Sequence, residues 1–369
     1  MVYIIKRIIF FVPALLALSL LSFLLLHYAP GDPVEQIMGN RLNGDESIQQ
    51  SESSLEMKAQ LRRQLGLDLP VFYFSIEPMS DNSVQAYLPS VHFHSLNQFH
   101  RWLFGSENNK GIIRGDFGSS YLSHQPVMEI LRSRIGWSLF FTLLSVVLAY
   151  LISIPLALKL ASRPQAKYAR PITLFLDIIY SLPSFWIATL LMFLFCNPDI
   201  MNLFPSSGIM PTGGYPEGTG FFERLGGTIP YLILPTITYT YSSFAFLTGS
   251  LRASIEEILK QDYIRTAYAK GLSEKTILYK HAFRNALLPV ITIFSHVFPF
   301  AIGGSVILES LFTIPGMGLT IFQSITAQDY PVIITVFLLT GFITMSGFLF
   351  SDILYSIADP RISITKKPN

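Results

Sequence analysis

The sequence is dominated by six long apolar stretches that are separated by polar segments. They cover residues 8–28, 137–160, 172–195, 229–250, 286–308 and 332–355. Each stretch has roughly the 20 residues that a helix needs to cross the hydrocarbon core of a bilayer. The first follows Lys6 and Arg7, as a signal peptide would, but its apolar part is too long and no small-residue cleavage pattern follows it. The pattern therefore predicts an all-α integral membrane protein with six transmembrane helices, of which the first is retained.

The distribution of Lys and Arg predicts the orientation of these helices. Basic residues gather before the first stretch, between the second and third, between the fourth and fifth, and after the sixth. The two short loops on the other side contain only Arg224. Positive charge marks the cytoplasmic side, whereas a long segment such as residues 29–134 crosses the membrane largely regardless of its charge. Both termini are therefore predicted to be cytoplasmic, with a sizeable extracytoplasmic region between helices 1 and 2.

The polar segments carry predictions of their own. In the outer region, residues 43–54 form a polar loop that leads into a short amphipathic helix over residues 55–65. Residues 197–228 are rich in Pro, Gly and Thr, which is typical of a loop.

Residues 251–285, the largest cytoplasmic segment, have the periodicity of helices. Apolar residues recur there every three or four positions, at Ile255, Ile258, Leu259, Ile264 and Ala267. Gly271 interrupts the pattern as a helix-ending glycine would, and Ser273 can cap a second short helix from Glu274. Two short basic helices that meet at a glycine indicate either a docking element for a partner or a basic loop that anchors at anionic headgroups.

Composition agrees with a membrane protein and argues against several kinds of metal site and catalytic site. Half of the residues are hydrophobic and 14% are charged, whereas a soluble domain has about a quarter charged residues. The net charge of +2 implies no nucleic acid partner, and the single cysteine, Cys196, allows no internal disulfide and no cysteine-based metal site. No G-x-x-x-x-G-K-[ST] loop, nucleophile elbow or paired acid cluster is present. We therefore expect no enzymatic activity and no cofactor, and we expect the energy for any transport to come from a partner.

Several sequence motifs appear in the order of one known family. Residues 262–272 read DYIRTAYAKGL and residues 281–292 read HAFRNALLPVIT. Others are APGDP at 29–33, LRRQLGL at 61–67, GDFGSSY at 115–121, SLPSFW at 181–186, ESLFTIPGMG at 309–318, DYP at 329–331 and DPR at 359–361. The first pair resembles the EAA loop of ABC importer permeases in its peptide/nickel form, and the resemblance covers nearly the whole chain.

The sequence departs from the family pattern in two places. Where the general pattern begins Glu-Ala-Ala, this chain has Arg265, Thr266 and Ala267, a substitution typical of the peptide branch. Residues 71–97, approximately, resemble an insertion that is rich in aromatic residues and histidine, and no function carries over to them.

The resemblance implies a permease of the bacterial inner membrane that is divided into four parts. These are the N-terminus with helix 1 (1–28), the extracytoplasmic region (29–134), a five-helix core (135–356) that contains the loop 251–285, and a cytoplasmic tail (357–369). With a homologous second permease the chain would form a passage for peptides or a related small solute. An extracytoplasmic binding protein would deliver the solute, and two ATP-binding subunits would dock on the cytoplasmic loop.

The resemblance also implies which residues couple the permease to its ATPase. They are Asp262, Ile264, Arg265, Thr266, Ala267, Ala269, Lys270, Gly271, Leu272, His281 and Arg284. Gly271 permits the sharp turn that a docking loop needs. Ala267 and Ala269 are small enough for their helix to lie close in a groove of the partner.

Other residues have both a functional and a structural interpretation. Asp177 and Asp352 lie near or within apolar stretches, where they could line a pathway or carry a proton, or could simply reach the interface or an Arg. His296 could contact a solute or make a hydrogen bond between helices. A metal could bind three histidines of the outer region, which are His92, His94 and His100.

Two other classes of membrane protein remain as alternatives. In an ion-gradient-driven secondary transporter, Asp177 would carry the ion, although the sequence lacks the internal inverted repeat that is frequent in that class. A membrane scaffold without transport would not stimulate a co-purified ATPase. The sequence does not determine the substrate.

Overall fold

The computed structural model describes residues 2–27, 32, 34–35, 38, 52–78, 89–105, 110–286 and 304–358, and most of these residues are helical. In chain order the helices are α1 (Val2–His27), α2 (Glu52–Leu65), α3 (Gln98–Phe104), α4 (Val127–Ser162), α5 (Ala169–Ser181), α6 (Ser184–Phe195), α7 (Phe221–Leu259), α8 (Asp262–Ala269), α9 (Glu274–Thr276), α10 (Val306–Leu311), α11 (Met317–Thr326) and α12 (Tyr330–Ala358). A 3-10 turn (Ile112–Arg114) precedes α4, and a π-helical segment (Ile277–Phe283) follows α9. The predicted helical class is confirmed.

Two helices of the described part of the chain are long and apolar enough to cross a membrane on their own. They are α4 and the Tyr330–Ile353 part of α12. Helices α5 and α6 meet the same criterion only as a pair, and Ile9–Leu24 of α1 is a shorter apolar helix. Most of the fifth apolar stretch, residues 287–303, lies outside the described residues, so the count of six spans stays a prediction.

The third apolar stretch is a broken helix rather than one continuous helix. Helices α5 and α6 meet at an angle of 99°. Pro183 causes the break because it has no backbone N–H and disfavours a helical conformation at the preceding residue, and Leu182 is indeed extended (φ −87°, ψ 133°). The hydroxyl of Tyr241 on α7 donates a hydrogen bond to the carbonyl oxygen of Leu182 at 2.7 Å. A neighbouring helix thus satisfies a backbone group that the break sets free.

The chain forms two compact units. The first contains residues 1–11, 134–322 and 339–369, and the second contains residues 12–133 and 323–338. In the first unit, one apolar core joins α4, α7 and the segment after α9 through Ala157, Leu158, Ala161, Leu247, Leu251, Ile255, Leu278, Ala282 and Ala286. A second core joins α4, α6, α7 and α10, and it includes Phe141, Ala188, Leu234 and Leu308.

The second unit is built around aromatic side chains. The ring of Phe23 on α1 lies 5.5 Å from Phe72, 5.4 Å from Phe99 and 5.9 Å from Trp102, so α3 packs on the end of α1. Asp329, before α12, accepts hydrogen bonds from the hydroxyl of Ser120 and from the backbone N–H of Tyr121. These contacts join three parts of the sequence that are far apart in the chain.

A short β-hairpin lies within the stretch that resembles an insertion. Strands β1 (Phe74–Pro78) and β2 (Pro89–Phe93) are antiparallel, and Phe74 is opposite Phe93 in the register. The helix predicted over residues 55–65 is present as α2. The predicted loop 197–228 is shorter than expected, because α7 begins at Phe221.

Candidate functional site

Helix α8 is a short helix separate from α7. Gln261, between the two, is extended (φ −68°, ψ 149°), so the chain changes direction before Asp262. The carboxylate of Asp262 lies in the first turn, where the helix dipole favours negative charge. Arg265 donates to Asp262 at 3.3 Å, but both side chains are largely exposed and the pair adds little stability.

Gly271 ends α8 as the sequence predicted. Its φ of +77° is left-handed, and its N–H donates to the carbonyl oxygen of Tyr268 at 2.9 Å. The N–H of Leu272 donates to the carbonyl oxygen of Ala267 at 3.3 Å. The two bonds together form a Schellman motif. A side chain at position 271 would meet no atom within 4 Å, so the position requires a glycine for its backbone conformation alone.

The second predicted helix starts at Ser273. The Ser273 hydroxyl oxygen accepts a hydrogen bond from the N–H of Thr276 at 3.3 Å, as an N-cap does. Helix α9 then continues as the π-helical segment, a type of wide turn that is frequent at functional sites. The sequence pattern did not predict this geometry.

Two of the predicted coupling residues face the core of their own chain. Ile264 and Ala267 are buried and pack with Ile277 of the π-helical segment. Ala267 was expected to let α8 lie close to a partner, but its side chain is directed to the opposite side. The buried pair instead holds α8 in place, since full burial of one isoleucine contributes about 2 kcal/mol.

The opposite face of α8 is exposed. It presents the predicted residues Asp262, Arg265, Thr266, Ala269, Lys270, Gly271 and Leu272. Tyr263 and Tyr268, which were not among the predicted coupling residues, are 44% and 51% exposed. Tyrosine and arginine are enriched at protein interfaces. The presence of two tyrosines on the polar side of an amphipathic helix could therefore have identified Tyr263 and Tyr268 from the sequence.

The predicted residues His281 and Arg284 lie on or just after the π-helical segment. His281 is half-buried and Arg284 is exposed. Asn285 donates from its side-chain amide to the Tyr263 hydroxyl at 2.9 Å and to the His281 carbonyl oxygen at 3.1 Å. This bridge joins the segment to α8, so the two parts of the predicted site are adjacent.

The segment is also anchored to the helices of its unit. Leu278 and Ala282 lie in the apolar core that contains residues of α4 and α7. Ile258 and Leu259, at the end of α7, contact both this core and the cluster around Ile264. A force on α8 would therefore reach α4 and α7 through packed side chains.

A buried carboxylate that the sequence did not predict as a site residue organises another part of the first unit. Glu309 on α10 is fully buried. Its carboxylate accepts hydrogen bonds from the Ser138 hydroxyl (2.7 Å), the Leu319 N–H (3.0 Å) and the Ser305 N–H (3.3 Å). Ser138 in turn accepts from the N–H of Met317 at 2.8 Å. This network fixes the turn over residues 314–318.

The remaining candidate residues do not form a site in the described part of the chain. Asp177 is exposed on α5, Asp352 has an interaction partner, and His296 lies outside the described residues. His94 lies 2.8 Å from the hydroxyl of Ser75, and His100 lies 2.7 Å from the hydroxyl of Tyr73. No group of three metal-ligating side chains occurs among the described residues.

Comparison with known proteins places this architecture among transport proteins. Residues 149–364 match the family described as binding-protein-dependent transport system inner membrane component. The chain is 36% identical to the oligopeptide transport system permease protein AppB of Bacillus subtilis over 98% of both chains. It is 31% identical to a putative peptide transport system permease protein of Brucella abortus, over 97% of this chain and 98% of that one. It is 28% identical to the dipeptide transport system permease protein DppB of Alkalihalophilus pseudofirmus, over 98% of both.

A solved structure gives a weaker likeness. A chain of the MetNI methionine ABC transporter in an inward-facing conformation aligns with a TM-score of 0.47 at 15% identity. The alignment covers 63% of this chain and 97% of that chain, and at this level it adds nothing to the family match. On the family match and the full-length relatives, this chain belongs to the binding-protein-dependent transport system inner membrane components, the permease subunits of ABC importers.

Proposed function

We propose that this chain is a peptide permease of a bacterial inner membrane and that α8 couples it to separate ATP-binding subunits. The chain crosses the membrane six times with both termini in the cytoplasm. It forms the passage with a homologous second permease, and an extracytoplasmic binding protein delivers the solute. The family match and the peptide-transporting relatives support the substrate class.

The proposal rests on one observation, which is that α8 has one buried side and one exposed side. Its buried side is held by Ile264 and Ala267, and its other side presents exposed aromatic and charged groups. A rigid helix with an exposed face can enter a groove of a partner with little loss of conformational entropy. The packed contacts from this segment to α4 and α7 supply a route by which movement of the partner would reach the membrane helices.

The charges on this segment favour a protein partner over anionic headgroups. Two exposed acidic residues, Asp262 and Glu274, lie among the exposed basic residues Lys260, Arg265, Lys270, Lys275, Lys280 and Arg284. A lipid surface of one sign would attract the basic groups and repel the acidic ones. A mixed pattern instead suits a complementary protein surface, where charge fixes the partner and its register.

Transport by the complete complex tests the proposal against a secondary transporter. In proteoliposomes that contain the permeases, ATP-binding subunits and binding protein, uptake of labelled trialanine should require ATP and should survive collapse of the proton gradient. The double variant Arg265→Glu, Lys270→Glu should retain about a tenth or less of the associated ATPase, because reversal of two interface charges costs several kcal/mol. The matched control, Arg224→Glu, lies at the other end of α7 and should leave association unchanged.

Uptake that persists without ATP but stops when the proton gradient collapses would support the secondary transporter instead. Unchanged ATPase association in the double variant would show that α8 is not part of the coupling interface. It would not contradict the proposal that the chain is an importer permease.

A further inference from the structure

A cavity of about 320 Å³ lies within the second unit, whereas the proposed coupling segment belongs to the first unit. The ends of α1 and α2, helix α3, the loop before α4 and the start of α12 surround it. Its volume lies at the lower end of the range for pockets that bind small ligands.

The cavity lies where two apolar helices end. Phe23 and His27 line it from the end of α1, and Tyr330, Pro331 and Ile334 line it from the first turns of α12. Apolar helices of a membrane protein end where the hydrocarbon gives way to lipid headgroups. The cavity is therefore at headgroup depth, whichever side of the membrane it faces.

One positively charged side chain at this cavity has no direct ionic partner among the described residues. No hydrogen bond or ion pair joins the guanidinium of the half-buried residue Arg101 to another described residue. Gly66, which ends α2 with a φ of +71°, makes room for this group, because a Cβ at position 66 would lie 2.9 Å from the guanidinium carbon. Positively charged groups that are partly removed from water are usually paired, so Arg101, which has no ionic partner among the described residues, is a group that can receive an anion.

The other polar groups of the cavity do not supply that anion. Asp116 provides the one carboxylate among the described lining residues, but it accepts hydrogen bonds from the backbone N–H groups of Lys110 (3.1 Å) and Gly118 (3.0 Å). Trp102 lines the cavity as well, and its buried indole N–H has no acceptor in the described part of the chain. Tyr121 is neutral at physiological pH, because burial and the nearby charge of Asp329 raise its pKa. The cavity thus has donors to spare, and the oxygens of Asp116 already accept from backbone N–H groups and do not pair with Arg101.

We propose that this cavity binds an oxyanion attached to an apolar group, with Arg101 as the positive partner of the oxyanion. The rings of Phe23 and Trp102 form the wall against which the apolar group packs. The phosphate of a phospholipid headgroup and a small aromatic carboxylate share this chemistry, and the depth of the cavity favours the lipid. A bound lipid would join α1, α3 and α12 at the membrane surface.

Ligand binding by the full-length protein in detergent tests this proposal. Native mass spectrometry would measure the affinity for phosphatidylglycerol, and competition would measure that for phenylacetate. Arg101→Gln removes the charge, whereas Gln64→Trp fills the cavity from an exposed position of α2 and leaves Arg101 in place. The control Arg114→Gln removes an exposed arginine of the same unit that does not line the cavity.

We expect Arg101→Gln and Gln64→Trp to weaken phosphatidylglycerol binding about tenfold or more, since a charge-assisted hydrogen bond is lost or blocked. Arg114→Gln should leave it unchanged. If only phenylacetate binding responds to the first two variants, the site stands and its ligand is a soluble carboxylate. If neither probe responds, the proposal is wrong. Should Arg101→Gln fail to fold, the result for Gln64→Trp decides alone.

Discussion

At the scale of single residues, position 271 requires a residue that can adopt a positive φ, but it does not require a small side chain. Its left-handed φ closes α8, and the space that a side chain would occupy is empty. The identity of the residue therefore matters through its ability to adopt a positive φ, and size alone is irrelevant.

This distinction gives a prediction for two variants of Gly271. Asn tolerates the left-handed region, so Gly271→Asn should support ATP-dependent uptake close to that of the unmodified protein. A β-branched residue does not, so Gly271→Val should destabilise the turn by about 2 kcal/mol and reduce both uptake and ATPase association. Equal behaviour of the two variants, or full activity of Gly271→Val, would show that the turn is not needed for coupling.

Glu309 is the clearest buried polar group of the first unit. Removal of its carboxylate would leave the Ser138 hydroxyl and the N–H groups of Leu319 and Ser305 without their acceptor. Glu309→Ala should therefore lower the free energy of unfolding by about 3 kcal/mol or more, and Glu309→Gln, which keeps one acceptor oxygen, by less. Thermal unfolding in detergent would measure both.

The exposed Glu223, in the first turn of α7, provides the control for this carboxylate. Glu223→Gln should change stability by less than about 0.5 kcal/mol. A Glu309→Ala protein as stable as this control would mean that the network does not hold the 314–318 turn.

At the scale of elements, the sequence predicted those helix ends and caps that depend on residues within a few positions of one another. The end of α8 at Gly271 and the cap at Ser273 follow from residue types within a few positions, and both are present. The β-hairpin was missed although its signal is local as well, because residues 74–78 (FSIEP) and 89–93 (PSVHF) both alternate apolar and polar positions. Resemblance to an insertion says nothing about structure, whereas this alternation does.

Contacts between distant parts of the chain were not predictable in this way. Ser138, whose hydroxyl donates to Glu309, lies 171 positions before it in the sequence. No spacing rule connects residues so far apart, since they meet only after the helices pack. The inward orientation of Ala267 is different, because it follows from the apolar periodicity that Ala267 shares with Ile264, and its partner Ile277 lies only ten positions further along the chain.

The break between α5 and α6 gives a prediction at this scale. The hydroxyl of Tyr241 satisfies the carbonyl oxygen that Pro183 leaves without a helical partner. Tyr241→Phe should lower the free energy of unfolding by about 1 kcal/mol, because a part-buried carbonyl oxygen loses its hydrogen bond. Tyr231→Phe on the same helix, whose hydroxyl makes no hydrogen bond to a described residue, should have little effect. Equal stability of the two variants would show that the carbonyl oxygen finds another donor.

At the scale of the whole molecule, the chain is a subunit that is incomplete on its own. It has no phosphate-binding loop, and it presents on α8 a rigid, exposed helix that is packed through its other face onto the unit that contains α4 and α7. Family membership makes it a permease subunit of an ABC importer. The central claim is that the exposed face of α8 is where the ATP-binding subunit docks.

Cross-linking from a single thiol tests that claim most directly. Cys196 is the only cysteine of the chain, so a Cys196→Ser background accepts one new thiol, either at Tyr268 on the exposed face of α8 or at Phe222, which is 84% exposed at the start of α7. In the assembled transporter, a short thiol-to-amine cross-linker should join the Tyr268→Cys chain to the ATP-binding subunit and should not join the Phe222→Cys chain to it. Cross-linking of Phe222→Cys but not of Tyr268→Cys to the ATP-binding subunit would contradict the claim.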